Sequence, residues 1–511
     1  MQNRQQKQKT GVVVAGLLLA ILMASMDNTI MATAMGTIIG ELGGLDKFIW
    51  VTSAYMVAEM AGMPIFGKLS DMYGRKRFFV FGIIVFMLGS VLCGTAGSIV
   101  ELSLYRAIQG IGAGALVPIT FTIMMDAVAP ENRGKLGGLF GAVFGMSSIF
   151  GPLLGAYITD HIHWAWIFYI NLPLGLLSLG LIAFFYKESL AHAKQKIDWW
   201  GAISLVGAVV CFMFAMELGG RQYAWDSFPI VGMFAGFALF AVLFVIAEKK
   251  AKEPIITFGL FKSRLFATSN ALALFSGAAF ITASVYIPIY VQGVLGGSAT
   301  NAGLVLLPMM LGSVVTATAG GSLMMKLSYR TIMISTLVLL VAGIALLTTL
   351  TPDSSRLEVT LYMILVGLGI GGSFSVLGNA AIHAMPIRQR GTASSTLNFL
   401  RSLGMTLGIT IFGIIQSHAL TRNLTEAFAG SGADLGQSVG FSDPHALMDP
   451  AARANIPEQA LVAFTGGLSS SIVFTFAIGI IPAAIALAVA FMMGREKLDP
   501  AAEAEQYAAA H

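Results

Sequence analysis

The sequence predicts an all-α polytopic membrane protein, and three observations support this fold class. Of its 511 residues, 56% are hydrophobic and only 11% are charged, whereas soluble domains carry about 25% charged residues. The mean hydropathy is +0.80. Apolar runs of about twenty residues, long enough for a ~30 Å hydrocarbon core, alternate with short charged segments along the whole chain.

Fourteen apolar runs predict fourteen transmembrane helices. Their centres lie near residues 22, 58, 88, 113, 147, 175, 209, 238, 280, 312, 340, 370, 404 and 481. The first run follows ten polar residues and continues through Met26 without a small-residue cleavage site, so we expect it to remain as an anchor.

The distribution of Lys and Arg predicts the orientation. An even number of spans places both termini on one side, and most of the 30 Lys and Arg residues fall in segments on that side. The opposite loops hold only Lys47, Arg221, Arg356, Arg422 and Arg453. By the positive-inside rule, both termini are cytoplasmic. The net charge of +4 then implies no nucleic-acid partner, because anionic lipid headgroups attract the excess.

An internal repeat predicts the domain organisation. Residues 104–134 align without gaps with residues 361–391, and three glycines and an Arg-Gly pair coincide. The offset exceeds what six helices need, so two extra spans separate the halves. The predicted units are a six-helix bundle (1–195), two inserted helices (196–255) and a second six-helix bundle (256–511). The last unit contains a long outer loop at about 419–468.

The segment GKLSDMYGRKR joins the second and third predicted spans. Gly67 and Gly74 allow close helix approach and a tight turn. The segment resembles the signature loop of the major facilitator superfamily. That resemblance implies a latch in which Asp71 and Arg75, joined by Asp126 at the end of the fourth span, hold the cytoplasmic helix ends together. A plain positive-inside loop would explain the cations but not this spacing of Gly and Asp.

The segment LYRAIQGIGAG places Arg106 and Gln109 in the middle of an otherwise uncharged span. A cation there costs roughly 2.5–3.5 kcal/mol or more, so it should face a partner or a cavity. The segment resembles the second superfamily motif, whose arginine is associated with proton coupling. The alternative is a structural hydrogen bond to backbone carbonyls. In the second half, Met363 occupies the equivalent position.

The segment GMSSIFGPLLG, Gly145 to Gly155, predicts a glycine-lined fifth helix that Pro152 kinks. This segment, which includes Gly151, resembles the antiporter motif of the superfamily, which uptake symporters largely lack. A residue of this motif that is usually glycine is Ala156 here. A generic kinked packing helix is the alternative, since Gly and Pro are common in membrane spans.

The segment ASMDNTIMATAM places Asp27 inside the first span, and it resembles the motif of the fourteen-helix drug:proton antiporter family, the class of Bacillus-type multidrug resistance proteins. A carboxyl group removed from water favours its neutral form, so Asp27 is a candidate for binding and releasing a proton. It could also neutralise a cationic drug, or be a purely structural acid.

Three further polar residues are candidates for coupling or substrate binding. Glu59 lies in the middle of the second span, where a carboxylate is a functional hypothesis by default. Asn398 and Arg401 are three residues apart on one face of the thirteenth span, where they line a cavity or serve packing.

The resemblance implies a major facilitator fold and a multidrug efflux transporter that exchanges lipophilic, cationic or zwitterionic drugs for protons by alternating access. It implies a monomer in the bacterial cell membrane, with the proton gradient as energy source and no cofactor, metal or enzymatic activity. No GxxxxGK[ST] loop occurs in the sequence. The alternatives are a dedicated exporter of one antibiotic or metabolite and, with less support, a proton-coupled uptake symporter.

Overall fold

The computed structural model describes residues 2–43, 49–128, 133–188, 197–297 apart from 221, 299–386 apart from 384, 389–429 and 458–498. Within these ranges the chain is helical and contains no named β-strand.

Seven helices form the first half of the chain: α1 (Gln2–Leu42), α2 (Ile49–Tyr73), α3 (Arg75–Gly94), α4 (Ile99–Ala127), α5 (Arg133–His161), the short α6 (Trp166–Tyr169) and α7 (Asn171–Phe185). Gly74 separates α2 from α3 at φ 116°, a backbone conformation that favours glycine. The Ser98 hydroxyl caps α4 by accepting a hydrogen bond from the Glu101 backbone N–H at 3.2 Å. Local sequence therefore explains where α3 and α4 begin.

Two helices follow, α8 (Trp199–Leu218) and α9 (Phe228–Lys250), and then six more: α10 (Arg264–Ile289), α11 (Ala299–Leu323), α12 (Tyr329–Leu347), α13 (Arg356–Ile382), α14 (Arg390–Ala429) and α15 (Glu458–Met492). A π-helical turn, Tyr290–Val294, extends α10. Helices α14 and α15 reach into the stretch that the sequence predicted to be an irregular outer loop, at 419–429 and 458–468. The centre of that predicted loop lies outside the described residues.

Among the described residues, twelve helical segments are long and apolar enough to cross a membrane, by length and composition. Helices α2 and α5, of 25 and 29 residues, are not among them. The prediction of a polytopic all-α membrane protein is confirmed, and the count of fourteen spans stays a prediction.

The two halves meet along α2 with α14 and along α5 with α11. Within each half, a glycine-rich helix packs between neighbours: α4 contacts α2 and α3, and its repeat counterpart α13 contacts α11 and α12. Gly112 in α4 lies so close to the backbone of α3 that a Cβ there would overlap Phe86. The repeated glycines therefore permit the same close helix packing in both halves.

The inserted helices form a hairpin against one edge of the interface between the halves. Helix α8 packs on α2, and an apolar cluster joins α8 to α2 and to Phe399 and Leu403 of α14. The rings of Trp50 and Phe214 lie 4.7 Å apart, and Lys68 pairs with Glu253 beyond α9 at 2.8 Å. Only 11% of the most apolar part of α9 is buried, so α9 presents most of its surface to the surroundings.

Candidate functional site

A buried polar cluster occupies the interior of the first half, where α1, α3, α4 and α7 meet. The guanidinium Nη1 of Arg106 donates to the Asp27 carboxylate and to Gln109 Oε1. Gln109 Nε2 and Asn171 Nδ2 donate to the second oxygen of Asp27, at 2.7 and 2.8 Å, and Gln109 Nε2 also donates to Ser90 Oγ at 2.8 Å. All five side chains are buried. The carboxylate thus has a counter-charge and two neutral donors, the conditions under which a buried ion pair persists.

Arg106 has two further contacts that fix its position. Its Nε donates to the Val51 backbone carbonyl at 3.4 Å, and its guanidinium carbon lies 4.1 Å from the centroid of the Tyr55 ring. The expected partner of this intramembrane cation is therefore Asp27. The predicted alternative, a hydrogen bond from Arg106 to a backbone carbonyl, also occurs, and Arg106 makes both contacts at once.

A cavity of about 470 Å³ lies between the two halves. Side chains from α1, α2, α4 and α5 line one side, and side chains from α10, α11, α13 and α14 line the other. Most of the lining is apolar, and it includes five methionines and four phenylalanines: Met56, Met60, Met63, Met310, Met405, Phe121, Phe140, Phe280 and Phe374. Soft methionine side chains adapt to ligands of different shapes.

Two charged side chains line this cavity, one from each half: Glu59 on α2 and Arg401 on α14. No described residue forms an ion pair with either of them. Arg401 Nη2 donates to the Ser373 carbonyl at 3.0 Å, and its guanidinium lies 5.1 Å from the Phe374 ring centroid. Asn398 also lines the cavity, and its Nδ2 donates to the Ser394 carbonyl at 2.9 Å.

The structure therefore divides the six residues predicted for coupling or substrate binding into two groups. Asp27, Arg106 and Gln109 lie in the buried cluster and do not line the cavity. The other three, Glu59, Asn398 and Arg401, do line it. Helix α1 connects the two groups, because Asn28 and Thr29, which follow Asp27, face the cavity.

At one end of the molecule, Asp71 joins the two halves. One carboxylate oxygen accepts a hydrogen bond from the Gly391 backbone N–H at 2.9 Å, and the other accepts one from the Thr392 backbone N–H at 2.7 Å. These amides belong to the first turn of α14, where the helix dipole favours an anion. Arg75 Nη2 donates to the same carboxylate at 3.0 Å.

Asp126 completes this group of charges. Arg75 forms an ion pair with Asp126 at the end of α4, and Arg390 of the second half lies 3.7 Å from the other oxygen of Asp126. Gly67 packs against α14 so closely that a Cβ would overlap the Ser395 side chain. The five residues predicted for the latch thus lie together, with Gly74 at the turn between α2 and α3.

The glycines of the fifth helix are contact points with its neighbours. A Cβ at Gly151 would overlap Thr29 on α1. A Cβ at Gly155 would overlap Thr33, which also lies on α1. Gly145 lies beside Met310 of α11 in the other half. Pro152 lies inside α5, between two of these contacts. The motif therefore brings α5 against α1, next to residues that line the cavity.

The comparison with known proteins identifies the family. Residues 17–409 match the description "Major Facilitator Superfamily". The chain belongs to this superfamily. It is therefore a multi-pass membrane transporter and not an enzyme, and its long helices agree with that assignment.

Two curated relatives of this facilitator come from Bacillus subtilis (strain 168). The chain is 52% identical to "Multidrug resistance protein 3" over 508 residues, which cover 98% of this chain and 99% of the relative. It is 36% identical to "Multidrug transporter protein MdtP" over 426 residues, which cover 83% of this chain and 79% of the relative.

Solved structures support the facilitator fold. The human organic anion transporter MFSD10 (TETRAN) aligns over 94% of this chain and 99% of its own, with a TM-score of 0.58 and 16% identity. The proton:xylose symporter XylE aligns over 94% of this chain and 95% of its own, with a TM-score of 0.59 and 14% identity. At these identities the likeness concerns the fold alone.

Sequence reasoning missed several members of these groups. Asn171 and Ser90 contact Asp27 or Gln109 in the buried cluster, and Tyr55 covers Arg106. Asn171 could have been found, because it is a polar residue beside a strongly apolar run, as Asp27 is. Arg390 could also have been recognised, since it belongs to the Arg-Gly pair that coincides in the internal repeat.

Proposed function

We propose that this facilitator is a multidrug efflux transporter that exchanges lipophilic cationic or zwitterionic drugs for protons by alternating access. The observation that carries the proposal is the cavity between the halves, with its adaptable apolar wall and one side chain of each charge. The names of the two Bacillus relatives agree with efflux of several drugs.

Glu59 and Arg401 give the cavity its selectivity in this proposal. A lipophilic cation places its charge against Glu59 and its apolar body among the methionines and phenylalanines. A zwitterion also places its anionic group against Arg401. Because the two residues belong to different halves, a zwitterion that contacts both would link the halves and favour their closure around it.

Asp27 is the proton-binding residue in the proposed exchange. Protonation of Asp27 removes the negative charge that Arg106 pairs with, and Arg106 is buried among groups from α2 and α4. A change in this pair acts on α1, and through Asn28 and Thr29 it reaches the cavity wall. Proton binding and drug binding therefore share one helix.

Asp71, Arg75, Asp126 and Arg390 form the latch in this proposal. They hold the halves together at the end that carries Gly74, which the positive-inside rule assigns to the cytoplasm. The described conformation is then the one closed to the cytoplasm. The proposal includes fourteen spans, both termini in the cytoplasm, insertion in the bacterial cell membrane and function as a monomer.

The test uses purified protein in proteoliposomes with an imposed pH gradient and a panel of unrelated fluorescent lipophilic cations. We expect several cations to evoke proton release in the wild type, and Asp27→Asn to abolish it. Asp160→Asn, the same change at the exposed end of α5, is the matched control. Binding of each cation to Asp27→Asn, measured by fluorescence anisotropy, verifies that this variant is folded.

Two outcomes would contradict the proposal. Proton release evoked by one compound only would indicate a dedicated exporter. Accumulation of substrate in the same direction as the proton flow would indicate an uptake symporter.

A further inference from the structure

Tyr55 lies between the cavity and the buried polar cluster. Tyr55 and Glu59 are four residues apart on α2, which places them on one face of the helix. Glu59 lines the cavity, as do Thr52 and Met56 on either side of Tyr55. Tyr55 itself is completely buried and is not part of the cavity wall.

On its other side, Tyr55 contacts the cluster. The Arg106 guanidinium lies over the Tyr55 ring at 4.1 Å and pairs with Asp27. This contact is a cation–π interaction, which fixes the ring relative to the guanidinium. Tyr55 therefore contacts the guanidinium that pairs with Asp27, and it lies one helical turn from Glu59.

The hydroxyl group of Tyr55 has no hydrogen bond of normal geometry to any residue that the structure describes, although it lies near the Asn28 side chain. Buried hydroxyl groups are nearly always hydrogen-bonded, so this exception requires an explanation. Asn28 lines the cavity and follows Asp27 directly. The hydroxyl group therefore lies near a residue that lines the cavity and directly follows Asp27 in the sequence.

Within the described chain, the charged groups in electrostatic range of Tyr55 are Asp27 on α1, Glu59 on α2 and Arg106 on α4. Glu59 in turn interacts with Arg106 and Asp27. The other polar members of the cluster, Ser90 on α3 and Asn171 on α7, contact Asp27 or Gln109. Tyr55 therefore shares both carboxyl groups with Arg106, and of the two it is the group that carries a hydroxyl proton.

We propose that Tyr55 is a relay that passes a proton between Glu59 in the cavity and Asp27 in the buried cluster. The proposal rests on the proton coupling proposed above. The phenol oxygen accepts the proton of the Glu59 carboxyl group while the phenolic proton passes to the Asp27 carboxylate. One O–H bond breaks and one forms at the phenol, so Tyr55 is unchanged and one proton has moved.

The relay explains how a carboxyl group in the cavity and one in the buried cluster both take part in the exchange of drug for proton. A drug cation needs the ionised form of Glu59. Transfer of the Glu59 proton to Asp27 leaves that ionised form in the cavity, and Asp27 then releases the proton to solution. Drug entry is thereby linked to the ion pair of Asp27 and Arg106 without contact between the drug and Asp27.

The test is Tyr55→Phe, which keeps the ring over Arg106 and removes only the hydroxyl group. Drug counterflow, which exchanges labelled for unlabelled drug, reports folding and alternating access. Drug-evoked proton release and uphill transport report coupling. We expect counterflow and the drug Kd to remain within about twofold of wild type, and both coupled activities to fall at least about tenfold. Tyr105→Phe, a change at the residue before Arg106, is the matched control.

Three results decide the matter. Coupled activities equal to wild type in Tyr55→Phe would overturn the relay while leaving the proposed antiport intact, provided that Asp27→Asn abolishes proton release. A parallel loss of counterflow and coupled transport would show a structural role and would also overturn the relay. Absence of drug-evoked proton release in the wild type itself would overturn both proposals.

Discussion

The carboxylate of Asp71 in the first half of the chain caps the first turn of α14 in the second half, accepting a hydrogen bond from the Thr392 backbone N–H at 2.7 Å. A second bond comes from Gly391 at 2.9 Å, and both groups are buried. The contact links residues more than 300 positions apart in the chain. It is made by backbone amides at the start of α14 and not by side chains farther along the helix. An anion at a helix N-terminus stabilises that helix end, so this cap also stabilises the closed contact between the halves.

We predict that Asp71→Asn weakens this closure. The amide carries no charge, and only one of its two terminal atoms accepts hydrogen bonds. Hydrogen bonds to charged groups contribute about 1.5–3 kcal/mol, so the closed population should fall by roughly tenfold or more relative to the open one. Alkylation of Ser395→Cys from the cytoplasmic side, in a Cys93→Ser, Cys211→Ser background, measures the opening.

Glu496→Gln is the control for this experiment, because Glu496 is an exposed acid whose side chain lies outside the latch. An alkylation rate in Asp71→Asn that matches this control would argue against the capping role.

We predict that Gly67→Ala also opens the latch, by overlap and not by loss of charge. The added methyl group would overlap Ser395, so α2 and α14 must separate. Ser395→Gly removes the obstructing side chain, and the double variant should recover closure. Inter-spin distances between labels at the ends of α2 and α14 measure the separation in a double-mutant cycle. Additive effects of the two changes would show that they do not act at one contact.

We predict that Asp27→Asn lowers stability as well as coupling, because it leaves the buried Arg106 without its counter-charge. Removing one partner of a buried ion pair costs about 3–5 kcal/mol. Arg106→Gln in the same molecule should restore most of the apparent melting temperature and leave proton coupling lost. Recovery of coupling in the double variant would rule out Asp27 as the proton-binding residue.

We predict that Glu59→Gln and Arg401→Gln weaken the binding of different classes of substrate. Glu59→Gln should raise the Kd of lipophilic monocations by about tenfold, which corresponds to roughly 1.4 kcal/mol. Arg401→Gln should spare monocations and weaken zwitterions by a similar factor. Fluorescence titration with matched mono- and zwitterionic dyes checks both, and Met56→Leu is the neutral cavity control. Equal effects of both changes on both dyes would favour a general packing role.

The sequence by itself determined the membrane class, the helical fold and the family. Apolar length and composition decide whether a helix crosses a bilayer, so the class could be predicted without tertiary contacts. The latch was predicted from the resemblance of GKLSDMYGRKR to the superfamily loop, and its members Asp71 and Arg75 lie one helical turn apart. The count of fourteen spans stays a prediction, since twelve of the described helical segments are long and apolar enough to cross a membrane.

Only the tertiary structure decided which polar residues lie in the buried cluster and which line the cavity. The sequence marked Asp27, Glu59, Arg106 and Arg401 as polar residues in apolar spans, but it contained no information on how each helix is rotated about its axis. Rotation is set by close packing at glycines such as Gly112 and Gly151, between residues distant in the chain. That packing turns Asp27 and Arg106 toward each other and turns Glu59 and Arg401 toward the cavity, with Tyr55 between the two groups.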